Sequence, residues 1–243
     1  MLIIRKTIIT IYFWTIIAIT NLIATIIIIP YWLVGGSQKE IRGIIEMVTA
    51  KFPTQIMRLS GIWSVEYIDR REEKKYYKGS YVIVSNHVSL IDTMFIAQLP
   101  FDKIFTWKKK WSYLPMFGQI CLMAGHITID PSCPTSKRNA ITKSETYLGI
   151  GSSIIFYPEG TRSKCEGKLL PFRTGAFRVA KSSHKKILPV TLVGTNKGCN
   201  GWVCDVASIK IIIDDPIIVS DTDISIQKVR AIMEENYQEY HEV

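Results

Sequence analysis

The sequence predicts an α/β domain led by a membrane-seeking N-terminal segment, and three observations carry that expectation. From residue 81 onward, short apolar runs alternate with stretches of helical period, the pattern of strands and helices packed in layers. Residues 7–34 contain no charged side chain at all. Two of the apolar runs, ending at Ser85 and Tyr157, empty directly into polar turns rich in chemically active residues. With 243 residues, 47% of them apolar, the chain can bury one sizeable core.

The uncharged N-terminal run is 28 residues long, roughly 42 Å as a helix against the ~30 Å of a hydrocarbon core. A cleaved signal peptide has an apolar region roughly half that length and a small-residue cleavage site. Arg5 and Lys6 flank the run on one side, and Lys39, Arg42, Lys51 and Arg58 on the other, so the positive-inside rule pulls both ends toward the cytoplasm. A helical hairpin bending near Asn21 satisfies both flanks; a single tilted helix with Pro30 near its end is the alternative. The chain therefore divides into an anchor (1–36), a connector (37–60) and the α/β domain (61–243), to which the motifs below assign the chemistry. In the connector, Ile41, Ile44, Ile45 and Val48 fall at helical spacing, marking an amphipathic helix that lies on the bilayer or packs on the domain.

Residues 62–68 alternate as a strand does, with Trp63, Val65 and Tyr67 on one face, before a charged turn across 69–75. Further strands are expected over 81–85, 103–107, 126–129, 153–157, 187–193 and 208–213, and helices over 90–98, 115–124, 136–148, 175–181 and 224–240. The net charge of +9 is uneven: residues 1–204 hold 27 basic and 12 acidic side chains, and 205–243 hold 3 and 9. Such a balance suits anionic headgroups or a phosphorylated substrate; no nucleic-acid-binding signature accompanies it. The five cysteines lack Cys-x-x-Cys spacing and clustered histidines, so no zinc site is expected and they read as free thiols in a reducing compartment.

The run Tyr81-Val82-Ile83-Val84-Ser85 leads into Asn86-His87-Val88-Ser89-Leu90-Ile91-Asp92. Residues five apart point about 140° away from each other on a helix, so His87 and Asp92 meet only if His87 precedes the helix and Asp92 opens it. A carboxylate beside an imidazole fixes its tautomer and leaves the other nitrogen to take a proton. The plain alternative is a histidine at a helix entry and an acid favoured by the helix dipole.

The second turn is Phe156-Tyr157-Pro158-Glu159-Gly160-Thr161-Arg162-Ser163. Gly160 permits unusual backbone angles, and Arg162 offers a planar fork that matches a phosphate; the same residues also form ordinary turns. Between the two turns, Lys108, Lys109 and Lys110 precede Leu114-Pro115-Met116-Phe117-Gly118, as a basic site or a solvated face. Arg162, Lys164, Lys168, Arg173, Arg178, Lys181, Lys185 and Lys186 stand against the single acid Glu166, a density suited to anionic headgroups.

These residues resemble the 1-acylglycerol-3-phosphate O-acyltransferases of the wider glycerolipid acyltransferase family. The family's Asn-His-x-x-x-x-Asp is met by Asn86, His87 and Asp92, and its Phe-x-Pro-Glu-Gly-Thr-Arg-Ser by residues 156–163. A looser Lys-Glu-Leu-x-x-x-Pro-x-x-Gly block is met by Lys109, Pro115 and Gly118, and an apolar-Pro-Val strand by Leu188, Pro189 and Val190. Lys110 stands where the family has Glu, and Pro131 where Arg often follows Ile-Asp; both departures bear on the acceptor headgroup.

The resemblance implies a single mixed-sheet α/β domain that transfers a fatty acyl group from acyl-CoA or acyl carrier protein to 1-acylglycerol-3-phosphate (lysophosphatidic acid), giving phosphatidic acid for phospholipid biosynthesis; the alternatives are an acyltransferase for another lysophospholipid or lyso-aminolipid acceptor, a thioesterase using the same pair, and a non-catalytic membrane protein that binds anionic lipid. It implies His87 as general base and Asp92 as its partner. Lys109, Glu159, Gly160, Thr161 and Arg162 would hold the acceptor phosphate, and Pro189 would lie near the acyl chain. No metal or bound cofactor is implied, and the domain would face the cytoplasm from a membrane whose lipids it contacts.

Overall fold

A computed structural model describes residues 2–72, 79–165 and 167–240. The charged turn expected across 69–75 therefore runs beyond the described residues after 72, and Glu166 lies outside them.

Seven strands form one mixed sheet. In chain order they are β1 (Trp63–Asp69), β2 (Val82–Ser85), β3 (Lys103–Lys108), β4 (Ile127–Ile129), β5 (Ser153–Phe156), β6 (Ile187–Val193) and, after a small hairpin of β7 (Cys199–Asn200) and β8 (Val203–Cys204), β9 (Ala207–Ile213). Their order across the sheet is β1-β9-β6-β2-β5-β3-β4. All adjacent pairs are parallel except β6 with β9. The central β2 therefore runs beside β5 and β6 in the same direction, and their carboxyl ends emerge along one edge. Each expected strand forms, shifted by no more than a residue at either end.

Period-two alternation divides the core between the two faces of the sheet. Val82 and Val84 of β2 join Ile154 of β5 and Ile187 of β6 on one side, under α6 (Pro134–Gly149), α7 (Gly175–Ser182) and α8 (Thr222–Tyr240). Ile83, Ile155 and Leu188 face the other side, under α1 (Leu2–Leu33), α3 (Phe52–Leu59) and α4 (Asp92–Ala97).

The N-terminal run is one continuous helix, which settles the anchor against a hairpin: α1 passes Asn21 without a bend and carries Pro30 inside its last turn. It is long and apolar enough to cross a membrane. One stripe, Ile9, Phe13, Ile16, Thr20, Ala24 and Ile28, is nevertheless buried against the domain, with the Phe13 ring centroid 5.2 Å from that of Trp63. Ile8, Ile11, Ile19, Leu22 and Ile26 on its remaining surface stay exposed. The connector packs rather than floats. Ile41 of α2 (Gln38–Ile45) is wholly buried with Ala24 and Ile28, and with Ile120 of α5 (Phe117–Met123).

Arg42, read from sequence as a membrane-flanking charge, is buried in the fold. Its guanidinium grips Asp102 through two bonds of 2.8 and 2.9 Å and reaches the Ala124 carbonyl at 2.9 Å. Burial alone would raise the Asp102 carboxyl; the hydrogen bonds and charge of Arg42, with Ser152, hold it below its usual range. His126 lies beside this pair, and burial, assisted by the Arg42 charge, pushes its pKa down to about 3 from an ordinary 6.5.

Between those two values the unfolded chain binds a proton at His126 that the folded chain refuses. Stability from this site is therefore complete above the unfolded pKa of 6.5 and is lost as pH falls toward about 3, at up to about 1.4 kcal/mol per pH unit. Denaturant titrations between neutral and mildly acid pH should show that slope in the wild type and a shallower one in His126→Gln.

Candidate active site

The edge where β2 and β5 emerge carries both sequence motifs side by side. His87 sits in the open loop after β2, and Asp92 is the first residue of α4, the arrangement their five-residue spacing demands. Nδ1 of His87 lies 2.7 Å from Oδ2 of Asp92. The same oxygen accepts the backbone N–H groups of Val88 and Ser89 at 2.8 and 2.9 Å. An ionised carboxylate only accepts hydrogen bonds, so the imidazole proton sits on Nδ1 and leaves the lone pair of Nε2 outward. Asp92 is fully buried, whereas the His87 side chain retains 20% of its exposure. One nitrogen is thus anchored inside and the other is accessible.

Residues of the second motif hold His87 from three further directions. Its backbone N–H donates to Oε1 of Glu159 at 2.9 Å, and its carbonyl accepts the N–H of Ser163 at 2.8 Å. Its ring stacks on Tyr157, with centroids 4.2 Å apart and planes inclined by 22°. Asn86 ties the loop from beneath. Its amide nitrogen donates to the Leu192 carbonyl at 2.9 Å and to the Tyr237 hydroxyl at 2.6 Å, and its oxygen accepts the Leu192 N–H at 2.8 Å.

Glu159 departs from the expected phosphate-binding role. Its other oxygen accepts the Leu170 N–H at 2.9 Å, so both oxygens are committed to backbone amides and the side chain is buried. Burial pushes its carboxyl above the usual range, and the two amide bonds oppose that shift. Gly160 adopts a φ of +68°, where a Cβ would come within 2.6 Å of Nε of Arg173. Glycine is required there for the turn and for the guanidinium lying over it. Thr161 is exposed and Arg162 partly so, and neither Arg162 nor Arg173 forms an ion pair among the described residues.

Lys109 opens a 3₁₀ turn (Lys109–Tyr113) at the exit of β3, on the same edge one strand beyond β5. It is exposed, and its charge helps to lower the Asp130 carboxyl, after the hydrogen bonds from Ser132. Pro189 does not join these residues at the edge. It lies inside β6 opposite Val84 and is buried by its neighbours. The sequence gives no sign of the stacking of Tyr157, and it shows Arg173 as part of a basic stretch and of the segment 170–176 that follows the Pro-Glu-Gly-Thr-Arg motif, not as a partner of Gly160. The signal for Arg173 was present in the pairing of a positive-φ glycine with a later arginine, but only folding shows that they touch.

A family model described as Acyltransferase matches residues 65–193. Among curated relatives, the 1-acyl-sn-glycerol-3-phosphate acyltransferase of Limnanthes douglasii is 34% identical over 137 residues, 56% of this chain and 48% of that protein. The enzyme of the same name from Haemophilus influenzae is 29% identical over 175 residues, 71% of each chain. The chain spans about half the length of the plant relatives it matches. The crystal structure of the 1-acyl-sn-glycerophosphate (LPA) acyltransferase PlsC from Thermotoga maritima shares the fold, with a TM-score of 0.81 over 100% of this chain and 99% of that one, at 20% identity.

Glu159→Gln tests the clamp directly. The amide presents an N–H₂ to a backbone donor where the carboxylate presents an acceptor, so one buried bond is lost. A fall in unfolding free energy of about 1–3 kcal/mol is expected by denaturant titration, and a variant as stable as the wild type would deny Glu159 this role.

Proposed function

Because this chain belongs to the acyltransferase family, we propose that it transfers a fatty acyl group from a thioester donor, acyl-CoA or acyl carrier protein, to the free hydroxyl of 1-acylglycerol-3-phosphate, forming phosphatidic acid. The observation that carries this reading is the His87–Asp92 pair, 2.7 Å apart, set against the glycine-arginine turn on the neighbouring strand. The curated relatives named as 1-acyl-sn-glycerol-3-phosphate acyltransferases support the acceptor.

In this mechanism Nε2 of His87 removes the proton of the acceptor hydroxyl as its oxygen attacks the thioester carbonyl. The buried Asp92 carboxylate stabilises the imidazolium through Nδ1. Collapse of the tetrahedral intermediate breaks the carbon–sulfur bond, and the imidazolium returns its proton to the departing thiolate. Arg162, with Gly160 and Thr161 shaping the turn, holds the acceptor phosphate, and Lys109 approaches from β3. Glu159 acts one step back by fixing the His87 backbone. Pro189 supports β2 from within the sheet instead of meeting the acyl chain. The phosphate and the reacting hydroxyl belong to one small molecule, so binding the first positions the second, an effect that reaches about 7–11 kcal/mol in well-oriented systems. The exposed apolar surface of α1 supports attachment of the domain to a membrane, and we assign the active edge to the cytoplasmic side.

His87→Ala should lower acyl transfer by about 10²- to 10⁴-fold while the melting curve stays that of a folded protein. Near-normal turnover in such a variant would exclude the mechanism.

Arg162→Lys replaces a two-pronged donor with a point charge. It should raise the apparent KM for lysophosphatidic acid and leave that for the acyl donor nearly unchanged. Steady-state kinetics with each substrate varied in turn decide this; an effect confined to the donor would remove Arg162 from the phosphate site.

A further inference from the structure

We propose that Cys199 and Cys204 are a redox-active pair that closes to a disulfide and locks the small hairpin joining α1 to the catalytic loop. The two residues face each other across β7 and β8, and their sulfurs lie 2.7 Å apart with both side chains fully buried. The backbone around them is built for a bridge. Antiparallel partners alternate between hydrogen-bonded pairs and closer, non-bonded pairs. The Asp205 N–H donates to the Gly198 carbonyl at 3.1 Å, which makes the next pair inward, Cys199 with Cys204, a non-bonded one. Consistent with that, the Cys199 carbonyl accepts from Ser89 Oγ at 2.5 Å and the Cys204 N–H donates to Thr10 Oγ1 at 2.9 Å. Partners of this kind have Cα atoms roughly 4.5 Å apart, within the ~4.4–6.8 Å span a disulfide bridges.

These same bonds give the pair its leverage. Ser89 belongs to the His87–Asp92 loop, where its N–H also holds Asp92; Thr10 belongs to α1. The hairpin adds a second grip on α1, because Trp14 donates to the Trp202 carbonyl at 2.8 Å and their ring centroids lie 4.9 Å apart. Arg5 and Lys6 pair with Asp205 just beyond it. A covalent bond across the hairpin therefore stiffens a link whose one end touches the active loop and whose other end touches the membrane helix.

The chemistry is thiol–disulfide exchange with a small disulfide oxidant. One cysteine thiolate attacks the oxidant and releases its first thiolate, and the second cysteine sulfur displaces the other. Two S–H bonds are replaced by one S–S bond, and the two electrons reside on the oxidant, now two thiols. The hydrogen bond from Cys199, with burial, pushes the Cys204 thiol well above its usual range. Scarce thiolate makes closure slow, and burial shields the closed form from attacking thiols. By contrast Cys165 is exposed and Cys133 partly so, and neither has a sulfur neighbour among the described residues.

Full-length protein in detergent, incubated with oxidised glutathione and digested without reduction, tests this. The expected result is a bridged peptide joining Cys199 to Cys204, with a mass loss of two hydrogens, while Cys165 takes up glutathione as an internal control. A Cys133→Ser/Cys165→Ser double variant, which leaves the hairpin untouched, should still form the bridge, and Cys199→Ser should not. Hydrogen exchange at the Cys204 amide should slow by about tenfold on oxidation as local opening of the hairpin is suppressed. Two free thiols at 199 and 204 in folded protein whose Cys165 has reacted would overturn the proposal. A bridge that left the Cys204 amide exchange unchanged would overturn the coupling to α1.

Discussion

Everything at the active edge depends on how the backbone of His87 is held. A histidine in an open loop after a strand has freedom in both backbone and side chain, and general-base work needs neither. Here its N–H is bonded to Glu159 and its carbonyl to the Ser163 amide. Its Nδ1 is bonded to Asp92, and one ring face lies against Tyr157. Two of those partners sit 72 and 76 positions away in sequence. The parallel pairing of β2 with β5 brings them within reach, because parallel neighbours release their carboxyl-terminal loops at the same edge. His87 and the turn that faces it are therefore one mechanical unit.

The clamp explains a division of labour inside the Pro-Glu-Gly-Thr-Arg turn. A buried carboxylate between two amide donors is well satisfied, and binding an anion directly would be repulsive. Glu159 thus holds the turn in shape while the guanidinium of Arg162 stays unpaired among the described residues. Gly160 serves the same end, since its left-handed backbone and missing Cβ let Arg173 lie over the turn. Arg162 and Arg173, neither of them ion-paired among the described residues, lie on the turn that holds His87 and give this edge a local positive field.

The N-terminal helix belongs to two environments. Its stripe from Ile9 to Ile28 completes the core over β1, α3 and α5, while its other faces expose isoleucine, leucine and tryptophan. The burial of Arg42 against Asp102 belongs to the same design, because it fastens α2 to the sheet immediately beneath α1. Charges that look like membrane flanks in a linear reading are in part paired within the fold: Arg42, buried, to Asp102, and Arg5 and Lys6, at the surface, to Asp205.

What the sequence by itself determined is local. Strand spans follow from apolar runs bounded by polar turns, and all seven expected strands end within one residue of their observed carboxyl termini because the side-chain period of two registers burial directly. The His87–Asp92 geometry was also legible, since a five-residue spacing admits contact only across a loop-to-helix junction. The tertiary structure decided whatever rests on strand order and on long-range partners. It made α1 one helix docked along a stripe, gave Glu159 to two backbone amides, withdrew Pro189 into the sheet, and brought Arg173 over Gly160. It also set Cys199 against Cys204 in a hairpin too short to show a strand period. A carboxylate, an arginine or a cysteine carries no mark of which distant group will meet it; that choice is made by the packing of the sheet.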